Sequence, residues 1–398
     1  MRKLTLTKSG FNKLKSQQKE LKSADVEDSI KSLPPGEWCL LSAAGSSEAW
    51  ACFVNPLVDD RYVSINVVTS LNPQEIAGFS PENFISVQLT RAYKKRLTFK
   101  GYEKGCRVFY GASDGLPGLI IDHFKNAAII QINTAGLDKH RELISHLTTY
   151  MLKVKSFFLD NQKYREKEAL PTYEVESLPD LVIEENDIHF KLRSDVIQKV
   201  GFYYDHRENR NQLVQLLSRL EPKPLKGLDL FCYAGAWGFN ALKGGTEHVD
   251  FVDQGNFARE IEEGLELNNF TGKGIFFRND VFKFLDEQIS KKVSYDLVLC
   301  DPPAFAKSLL QKKQALEGYS KLHRKVIRIS SAGAVCVFSS CTHYVSHEEF
   351  QANIQEAAAK ENKKIQLLSC GIQGWDHPVT TLADRSNYIK SYTYLMES

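Results

Sequence analysis

The sequence has no long apolar run. Across its 398 residues, no stretch approaches the roughly 18 consecutive apolar residues that a membrane-spanning helix needs. Residues 1–31 are polar and rich in lysine, so we also expect no signal peptide. These absences predict a protein that acts in the cytoplasm and does not contact the membrane.

Paired cysteines, metal-ligand patterns and a strong net charge are lacking too. The eight cysteines are scattered without a C-x-x-C pair, so we expect free thiols in a reducing compartment and no metal site. The net charge is only +2, so any surface for nucleic acid must be local. The length suffices for two or three domains.

The most informative stretch reads LDLFCYAGAWGFNALKGGTEHVDFVD and closes on Asp253. Its start, Leu228–Cys232, is a short apolar run of the kind that forms a buried parallel strand. Tyr233–Gly238 is a tight loop with two glycines, and the following residues continue at helical spacing. Val249–Val252 is a second strand. The pattern predicts a βαβ unit that brings a glycine loop and an acid to a cofactor.

The spacing of this unit separates it from a dinucleotide site. Its glycines follow G-x-x-G and not G-x-G-x-x-G, and Asp229 stands inside the first strand, which suits a ligand without phosphates. The run Asp229, Phe231, Tyr233 and Gly235, with Asp253 after it, resembles motifs I and II of the S-adenosylmethionine-dependent methyltransferases. An ordinary Rossmann-like crossover is the alternative.

The chain divides into three predicted domains. Residues 1–75 form a small β-rich unit; its first 35 residues carry a net charge of +4, and we favour a solvated helix over an RNA-contacting arm as their interpretation. Residues 76–188 form an α+β middle domain. In residues 189–398 strands and helices alternate, which predicts a parallel sheet with helices on both faces and an antiparallel hairpin at its edge.

One segment of the middle domain is basic and aromatic. Between Arg91 and Arg107, seven cations face one acid and are interleaved with three aromatic residues. Cations fit phosphates and aromatic faces fit bases, so Arg91, Lys94, Lys95 and Arg96 are candidate RNA contacts. A solvated helix explains the segment equally well.

In a doubly wound sheet, ligands bind at the carboxyl ends of the strands. There Asp253 is placed to receive ribose hydroxyls, and Asp280 the adenine amine with Val281 on the ring; the alternative for Asp280 is a helix N-cap. Asp301-Pro302-Pro303 follows another buried strand, and Phe305 offers a face for a flipped base. Asp301 would orient that base or help to move a proton.

Cys341 is the candidate nucleophile. It follows a predicted strand, Ala334–Ser339, and precedes a predicted helix, with His343 close by, an arrangement that can lower a thiol pKa. A thiolate that adds to pyrimidine carbon 6 makes carbon 5 able to attack an activated methyl group. A loop cysteine without a role is the alternative, and Cys300 is expected to point into the sheet.

Several motifs together resemble the ribosomal RNA large subunit methyltransferase I family, whose members are class I enzymes that make 5-methylcytosine in large-subunit rRNA. The similar stretches are the hairpin Arg107–Asp122, Gly201–Arg210, Asp301–Ser308, Ser340–Ser346 and Asp376–Val379. The resemblance implies a PUA-like N-terminal domain, an α+β middle domain and a Rossmann-like methyltransferase domain, often as a dimer. It also implies Cys341 as the nucleophile.

Motifs and resemblance together give the expected sites. S-adenosylmethionine is expected at Tyr204, Asp205, Arg210, Asp229, Phe231, Tyr233, Gly235, Asp253, Asp280, Val281, Asp301 and Pro302. The RNA is expected at Pro303, Phe305, Lys307, Arg91, Lys94, Lys95 and Arg96, and catalysis at Cys341 and Asp301.

The sequence also departs from the family. The family's N-terminal run is not recognisable here; His206 stands where glutamine is usual, and Ala236 where a third glycine is usual. Two alternative functions stay open at this point. One is methylation of a base nitrogen, which needs no cysteine, and the other is an RNA-binding assembly factor without catalysis.

Overall fold

The structure is a computed structural model that describes residues 1–59, 62–159, 162–173, 176–197, 201–382, 384 and 386–397. It contains two compact units, Met1–Pro179 and a second made of Asp180–Ile197 with Gly201–Ser398. The three domain limits drawn from the sequence stay predictions. Within the described ranges, no helix is both long and apolar enough to cross a membrane, and no cluster of His, Cys, Asp or Glu is placed to hold a metal ion.

The first unit holds two small sheets and six helices among its described residues. Its strands are β1 (Arg2–Thr5), β2 (Glu20–Leu21), β3 (Glu37–Ser42), β4 (Ala49–Val54), β5 (Ile65–Leu71), β6 (Cys106–Tyr110), β7 (Leu119–His123), β8 (Ala128–Ile132) and β9 (Ser156–Phe158). Its helices are α1 (Lys8–Lys15), α2 (Pro73–Gly78), α3 (Pro81–Arg96), α4 (Ala135–Asp138), α5 (Arg141–Leu152) and α6 (Gln162–Lys167).

The sheet orders of this unit are β1-β3-β4-β5-β2 and β6-β7-β8-β9. Trp38 of β3 lies in a core that side chains of both sheets share, and its indole donates to the Gly136 carbonyl over 3.0 Å. The β-rich start and the α+β middle region predicted from the sequence are therefore present, while the likeness of the start to a PUA domain stays a prediction.

The predicted basic helix over residues 1–35 is wrong in extent. The helix covers only Lys8–Lys15, where Thr7 caps it by accepting from the Gly10 amide. Before it, β1 pairs in parallel with β3, because Leu4 and Leu6 are buried in the core beside that sheet.

The second unit has the predicted alternation of strands and helices. Its strands are β10 (Leu181–Glu185), β11 (Ile188–Leu192), β12 (Lys226–Leu230), β13 (His248–Asp253), β14 (Gly274–Arg278), β15 (Tyr295–Cys300), β16 (Ser330–Ser340), β17 (Ile365–Gly371) and β18 (Lys390–Met396). Its helices are α7 (Arg207–Arg219), α8 (Ala236–Lys243), α9 (Ala258–Leu267), α10 (Val281–Ser290), α11 (Lys312–Ile329) and α12 (His347–Lys360).

The seven-stranded sheet of this unit has the order β14-β13-β12-β15-β16-β18-β17. Strands β12 to β16 run in parallel, and β18 lies antiparallel to both β16 and β17, which confirms the predicted edge hairpin. The order reverses at β12 and β15, so their carboxyl ends flank the crevice where such sheets bind ligands.

Candidate active site at the carboxyl edge of the sheet

The loop after β12 is held in a strained shape. The predicted strand Leu228–Cys232 ends two residues early, at Leu230, because Phe231 and Tyr233 have positive φ angles of 60° and 46°. Gly235 follows with φ 76° and precedes α8. The loop therefore turns sharply at the edge of the sheet, and Cys232 lies in it and not in the strand.

Asp229 supports this loop from below. One of its carboxylate oxygens, Oδ2, accepts from the Gly238 amide over 2.8 Å. The other, Oδ1, is buried and has no hydrogen-bond partner among the residues that the structure describes. Burial raises the pKa of the Asp229 carboxyl well above its usual range. A cationic donor at Oδ1 would supply the missing partner and favour the ionised form.

Asp253 closes the second strand and braces the same loop. Its Oδ2 accepts from the Tyr233 amide over 3.1 Å, and its Oδ1 accepts from the Gly255 amide over 2.8 Å. Because a carboxylate oxygen accepts two hydrogen bonds, Asp253 keeps the capacity to receive ligand hydroxyls.

Asp280 stands at the carboxyl edge after β14. It is the N-cap of α10, since its Oδ1 accepts from the Lys283 amide over 3.0 Å, and the residue is exposed. The next side chain, Val281, is buried in the core. Asp280 is thus a helix N-cap, as the alternative interpretation predicted, and its second carboxylate oxygen is left for a ligand.

The segment from Gly201 to Arg210 is anchored by interior pairs. Arg210 makes two bonds to Glu185, of 2.6 and 2.7 Å, and Asp205 accepts from the Tyr388 hydroxyl over 2.7 Å. Tyr204 is buried as well. These three predicted cofactor residues position the segment through side chains that face inward.

Asp301 connects two other loops of the site. Its Oδ2 accepts from the Trp237 indole over 3.0 Å, and its Oδ1 lies 3.5 Å from His206 Nε2. Both partners are buried, and their rings lie 5.4 Å apart. The carboxylate after β15 is therefore oriented by α8 and by the segment that precedes α7.

The chain after Asp301 leads to an aromatic stack. Pro302 is buried and Pro303 is exposed. Phe305 stacks on Tyr319 of α11 at 4.6 Å with an interplanar angle of 26°. One face of Phe305 is therefore occupied by the protein, while Lys307 is exposed.

Cys341 directly follows β16 and is half-buried. The Tyr319 hydroxyl lies 2.8 Å from both Ser340 Oγ and Thr342 Oγ1, the residues on either side of the thiol. Because β15 and β16 are adjacent and parallel, Asp301 and Cys341 meet at one edge of the sheet.

The half-buried Tyr203 lies where these groups converge. Burial raises the pKa of the Tyr203 hydroxyl, and the charges of Asp205, Asp301 and Cys341 act on it in the same direction. Its ring packs edge-on against Tyr233 at 5.4 Å. The cysteine and the two acids are therefore all close enough to act on this hydroxyl.

Three other cysteines of this unit are poorer nucleophiles. Cys232, Cys300 and Cys336 are buried, and burial raises the pKa of each, to about 12 for Cys336. Cys370 is exposed on β17.

Comparison with known proteins identifies the family. Residues 117–355 match the family described as S-adenosylmethionine-dependent methyltransferase. The chain belongs to that family.

The resemblance predicted from the motifs is confirmed by curated relatives named ribosomal RNA large subunit methyltransferase I. The relative from Aeromonas hydrophila is 33% identical over 296 residues, 72% of this chain and 73% of its own. That from Escherichia coli O9:H4 is 30% identical over 319 residues, 78% and 79% of the two chains.

The fold is shared with solved structures. SMU.776, described as a methyltransferase and crystallised with SAH, aligns over 99% of this chain and 100% of its own, with a TM-score of 0.77 and 19% identity. Because the chain belongs to the S-adenosylmethionine-dependent family, it uses S-adenosylmethionine, which supplies the methyl group. The buried Oδ1 of Asp229 has the charge to hold a cationic group of that cofactor, and the spare acceptor capacity of Asp253 matches ribose hydroxyls.

Of the four cations predicted to contact RNA, three are exposed and one is buried. Arg91, Lys94 and Lys95 are exposed on α3. Arg96 is fully buried and makes two bonds to Asp114, of 2.8 and 2.6 Å. We therefore remove Arg96 from the proposed RNA contacts, because its guanidinium is committed to the interior.

Sequence reasoning missed several residues of the site. Trp237 donates to the predicted Asp301, and Tyr388 donates to the predicted Asp205. Tyr319 stacks on the predicted Phe305. Lys390 donates to the Thr342 carbonyl, which directly follows Cys341. No short motif marks them. Only the aromatic character of Trp237, inside the glycine loop, was a signal that the sequence offered.

Proposed function

We propose that this methyltransferase forms 5-methylcytosine in large-subunit rRNA, with Cys341 as the nucleophile. The observation that carries the proposal is the half-buried thiol at the carboxyl end of β16, beside the acid that follows β15 and near the cofactor loop. The curated relatives with the name ribosomal RNA large subunit methyltransferase I support rRNA as the substrate.

The chemistry assigns a distinct role to the thiol. The Cys341 thiolate adds to carbon 6 of the cytosine, which makes carbon 5 electron-rich, and carbon 5 then takes the methyl group. Loss of the carbon 5 proton restores the double bond and expels the thiolate. Asp301, held by the Trp237 indole, is placed to orient the flipped base.

Cofactor binding is proposed for the loops around Asp229. Asp229 would hold the cationic part of S-adenosylmethionine, Asp253 the ribose hydroxyls and Asp280 the adenine amine. The tight turn at Phe231, Tyr233 and Gly235 would let the backbone approach the ligand. The interior residues Tyr204, Asp205 and Arg210 would shape this site from behind.

RNA binding is proposed for α3 of the first unit. Arg91 and Lys95 line a cavity of about 360 Å³ that Lys19 also lines, so three cations lie around one concave surface. Phosphates of the RNA backbone are the complementary groups. Lys94 is exposed on the same helix. In the second unit, Pro303 and Lys307 are proposed contacts to the RNA.

The test is a methyl-transfer assay with unmodified large-subunit rRNA. The protein is incubated with S-adenosylmethionine, the RNA is digested, and the methylated nucleoside is identified by mass spectrometry. We expect 5-methylcytidine from the wild-type enzyme and a loss of at least a thousandfold in Cys341→Ala, because the adduct cannot form. Cys370→Ala removes an exposed thiol outside the site and should keep full activity.

Two results would replace the proposal. A methylated purine or exocyclic amine, or a fully active Cys341→Ala variant, would establish nitrogen methylation without covalent catalysis. No transfer from a wild-type protein that also fails to bind S-adenosylmethionine in calorimetry would favour an assembly factor.

A further inference from the structure

A buried lysine lies beside the candidate nucleophile. Lys390 is the first residue of β18 and is 2% exposed. The antiparallel pairing of β16 and β18 sets it directly opposite Ser340, the residue before Cys341. An ammonium group is thus brought into the interior next to the turn that carries the thiol.

Neutral carbonyl groups hold this ammonium. Nζ of Lys390 donates to the Thr342 carbonyl over 2.6 Å and to the Tyr388 carbonyl over 3.1 Å. The first bond fixes the residue that follows Cys341, and the second ties the same turn to the segment that enters β18. In the described part of the chain, no carboxylate oxygen lies within 4.0 Å of Lys390 Nζ, the limit for an ion pair.

The nearest acid on the neighbouring helix has other partners. Glu349 of α12 acts on Lys390 only at longer range. It forms an ion pair with Lys312 at 2.6 Å and accepts from the Ser346 amide over 2.9 Å as part of the α12 cap. Glu349 therefore contributes little compensation to the buried charge.

Buried charges are normally paired, because removal from water costs several kcal/mol. Burial lowers the pKa of Lys390 to about 8, and Cys341 is the first group that opposes this change by favouring the charged ammonium. A thiolate at Cys341 would thus supply the anion that Lys390 lacks.

We propose that the Lys390 ammonium is the counter-charge of the Cys341 thiolate and fixes the geometry of its turn. Lys390 is then a positioning residue, and the inference rests on the proposed role of Cys341 as nucleophile. The thiol proton leaves to solvent and not to Lys390, which is already protonated when it acts.

Three titratable groups that approach this pair do not supply the charge. Tyr319 approaches from α11 and Tyr203 from the segment before α7, and burial raises the pKa of both hydroxyls, to about 12 for Tyr319. His347 of α12 is half-buried, and its pKa is lowered by burial and then by Lys390 itself. These three groups are neutral near pH 7, so none of them replaces the lysine as the cation.

The test is the pH profile of alkylation at Cys341. Full-length protein is treated with iodoacetamide from pH 5 to 10, and the modified peptides are quantified by mass spectrometry. In Lys390→Met and Lys390→Gln we expect the midpoint for Cys341 to rise by about one pH unit or more, a tenfold slower reaction at pH 7. Lys390→Arg keeps the charge and should keep a midpoint near that of wild type.

Alkylation of Cys370 in the same samples is the internal control and should not change. An unmoved Cys341 midpoint in folded Lys390→Met and Lys390→Gln proteins would overturn the proposal. A shift in Lys390→Arg as large as that in Lys390→Met would also overturn it, since the charge would then be irrelevant.

A second measurement serves if the lysine variants do not fold. The ¹³Cε signal of Lys390 is followed against pH in wild-type protein and in Cys341→Ala. We expect a lower pKa for Lys390 in the variant, because coupling between two sites is reciprocal; an equal pKa would refute the pairing. Neither measurement involves RNA, so a failure of the 5-methylcytidine assay is distinguished from a failure of this inference.

Discussion

His323 makes the stability of the methyltransferase unit depend on pH. It lies on α11 and is 1% exposed, between Tyr319, which it stacks on at 5.7 Å, and the rings of Phe338 and Phe350 at 5.0 and 5.2 Å. Burial lowers its pKa to about 3. The Tyr319 ring that it supports carries the hydroxyl between Ser340 and Thr342.

The direction of this pH dependence follows from how the folded and unfolded states bind a proton at His323. The unfolded chain binds a proton on this histidine below its ordinary pKa of about 6.5, whereas the folded protein excludes it until about pH 3. The free energy of unfolding therefore falls as the pH falls from about 6.5 towards 3. Because pH 5 lies about 1.5 pH units below the ordinary pKa, the loss in the free energy of unfolding at that pH amounts to about 2 kcal/mol.

The perturbation is His323→Gln, which removes the titration. The opening free energy of the second unit is measured at pH 7.5 and 5.0 by hydrogen exchange of the β15 and β16 amides, which report that unit alone. We expect wild type to lose about 2 kcal/mol more than His323→Gln between the two pH values. Lost stacking in the variant affects both pH values and cancels in this comparison.

His146→Gln is the matched control, because His146 is exposed on α5 in the other unit. Its pH dependence should equal that of wild type. If wild type and His323→Gln lose the same opening free energy between pH 7.5 and 5.0, His323 does not cause the pH dependence of this unit.

Two further substitutions test the cofactor loop and the core of the first unit. In Gly238→Ala the new Cβ would stand 2.2 Å from a ring carbon of Phe251 in β13, so calorimetry should find S-adenosylmethionine bound at least tenfold more weakly. Gly78→Ala is the control and should bind the cofactor normally, because its new Cβ would have no atom within 4 Å. Equal affinities of the two variants would contradict the role of Gly238. Arg96→Met leaves the Asp114 carboxylate buried and unpaired, which should cost about 3–5 kcal/mol in urea unfolding, against about zero for exposed Lys94→Met. A stable Arg96→Met protein with weakened RNA binding would return Arg96 to the RNA contacts.

Much of the second unit could be predicted because its signals are local. Buried parallel strands are short apolar runs, and the helices between them have caps such as Asp280 and Ser346 that a reader can find in the sequence. The N-terminal strand could not be predicted in this way. Only Leu4 and Leu6 mark it, and their alternation is hidden among lysines that suggest a solvated helix.

The candidate site was predictable to the extent that its residues belong to motifs. Asp229, Asp253, Asp301 and Cys341 all stand at or near strand ends, where the alternation of elements places them. The role of Arg96 was not predictable. A cation in a basic segment has the same sequence signal whether it faces a phosphate or a buried partner such as Asp114, 18 residues further on.

The proposed support of Cys341 by Lys390 was hidden in the sequence for a topological reason. A parallel strand next to β16 would bring its carboxyl end to the edge where Cys341 lies, but β18 is inserted antiparallel and brings its amino end. Its first residue, Lys390, therefore reaches the thiol turn although 49 positions separate it from Cys341. The edge hairpin thus brings a cation to the candidate site as well as completing the sheet. The backbone of Lys390 is fixed by its pairing with β16, and its side chain reaches the Thr342 carbonyl.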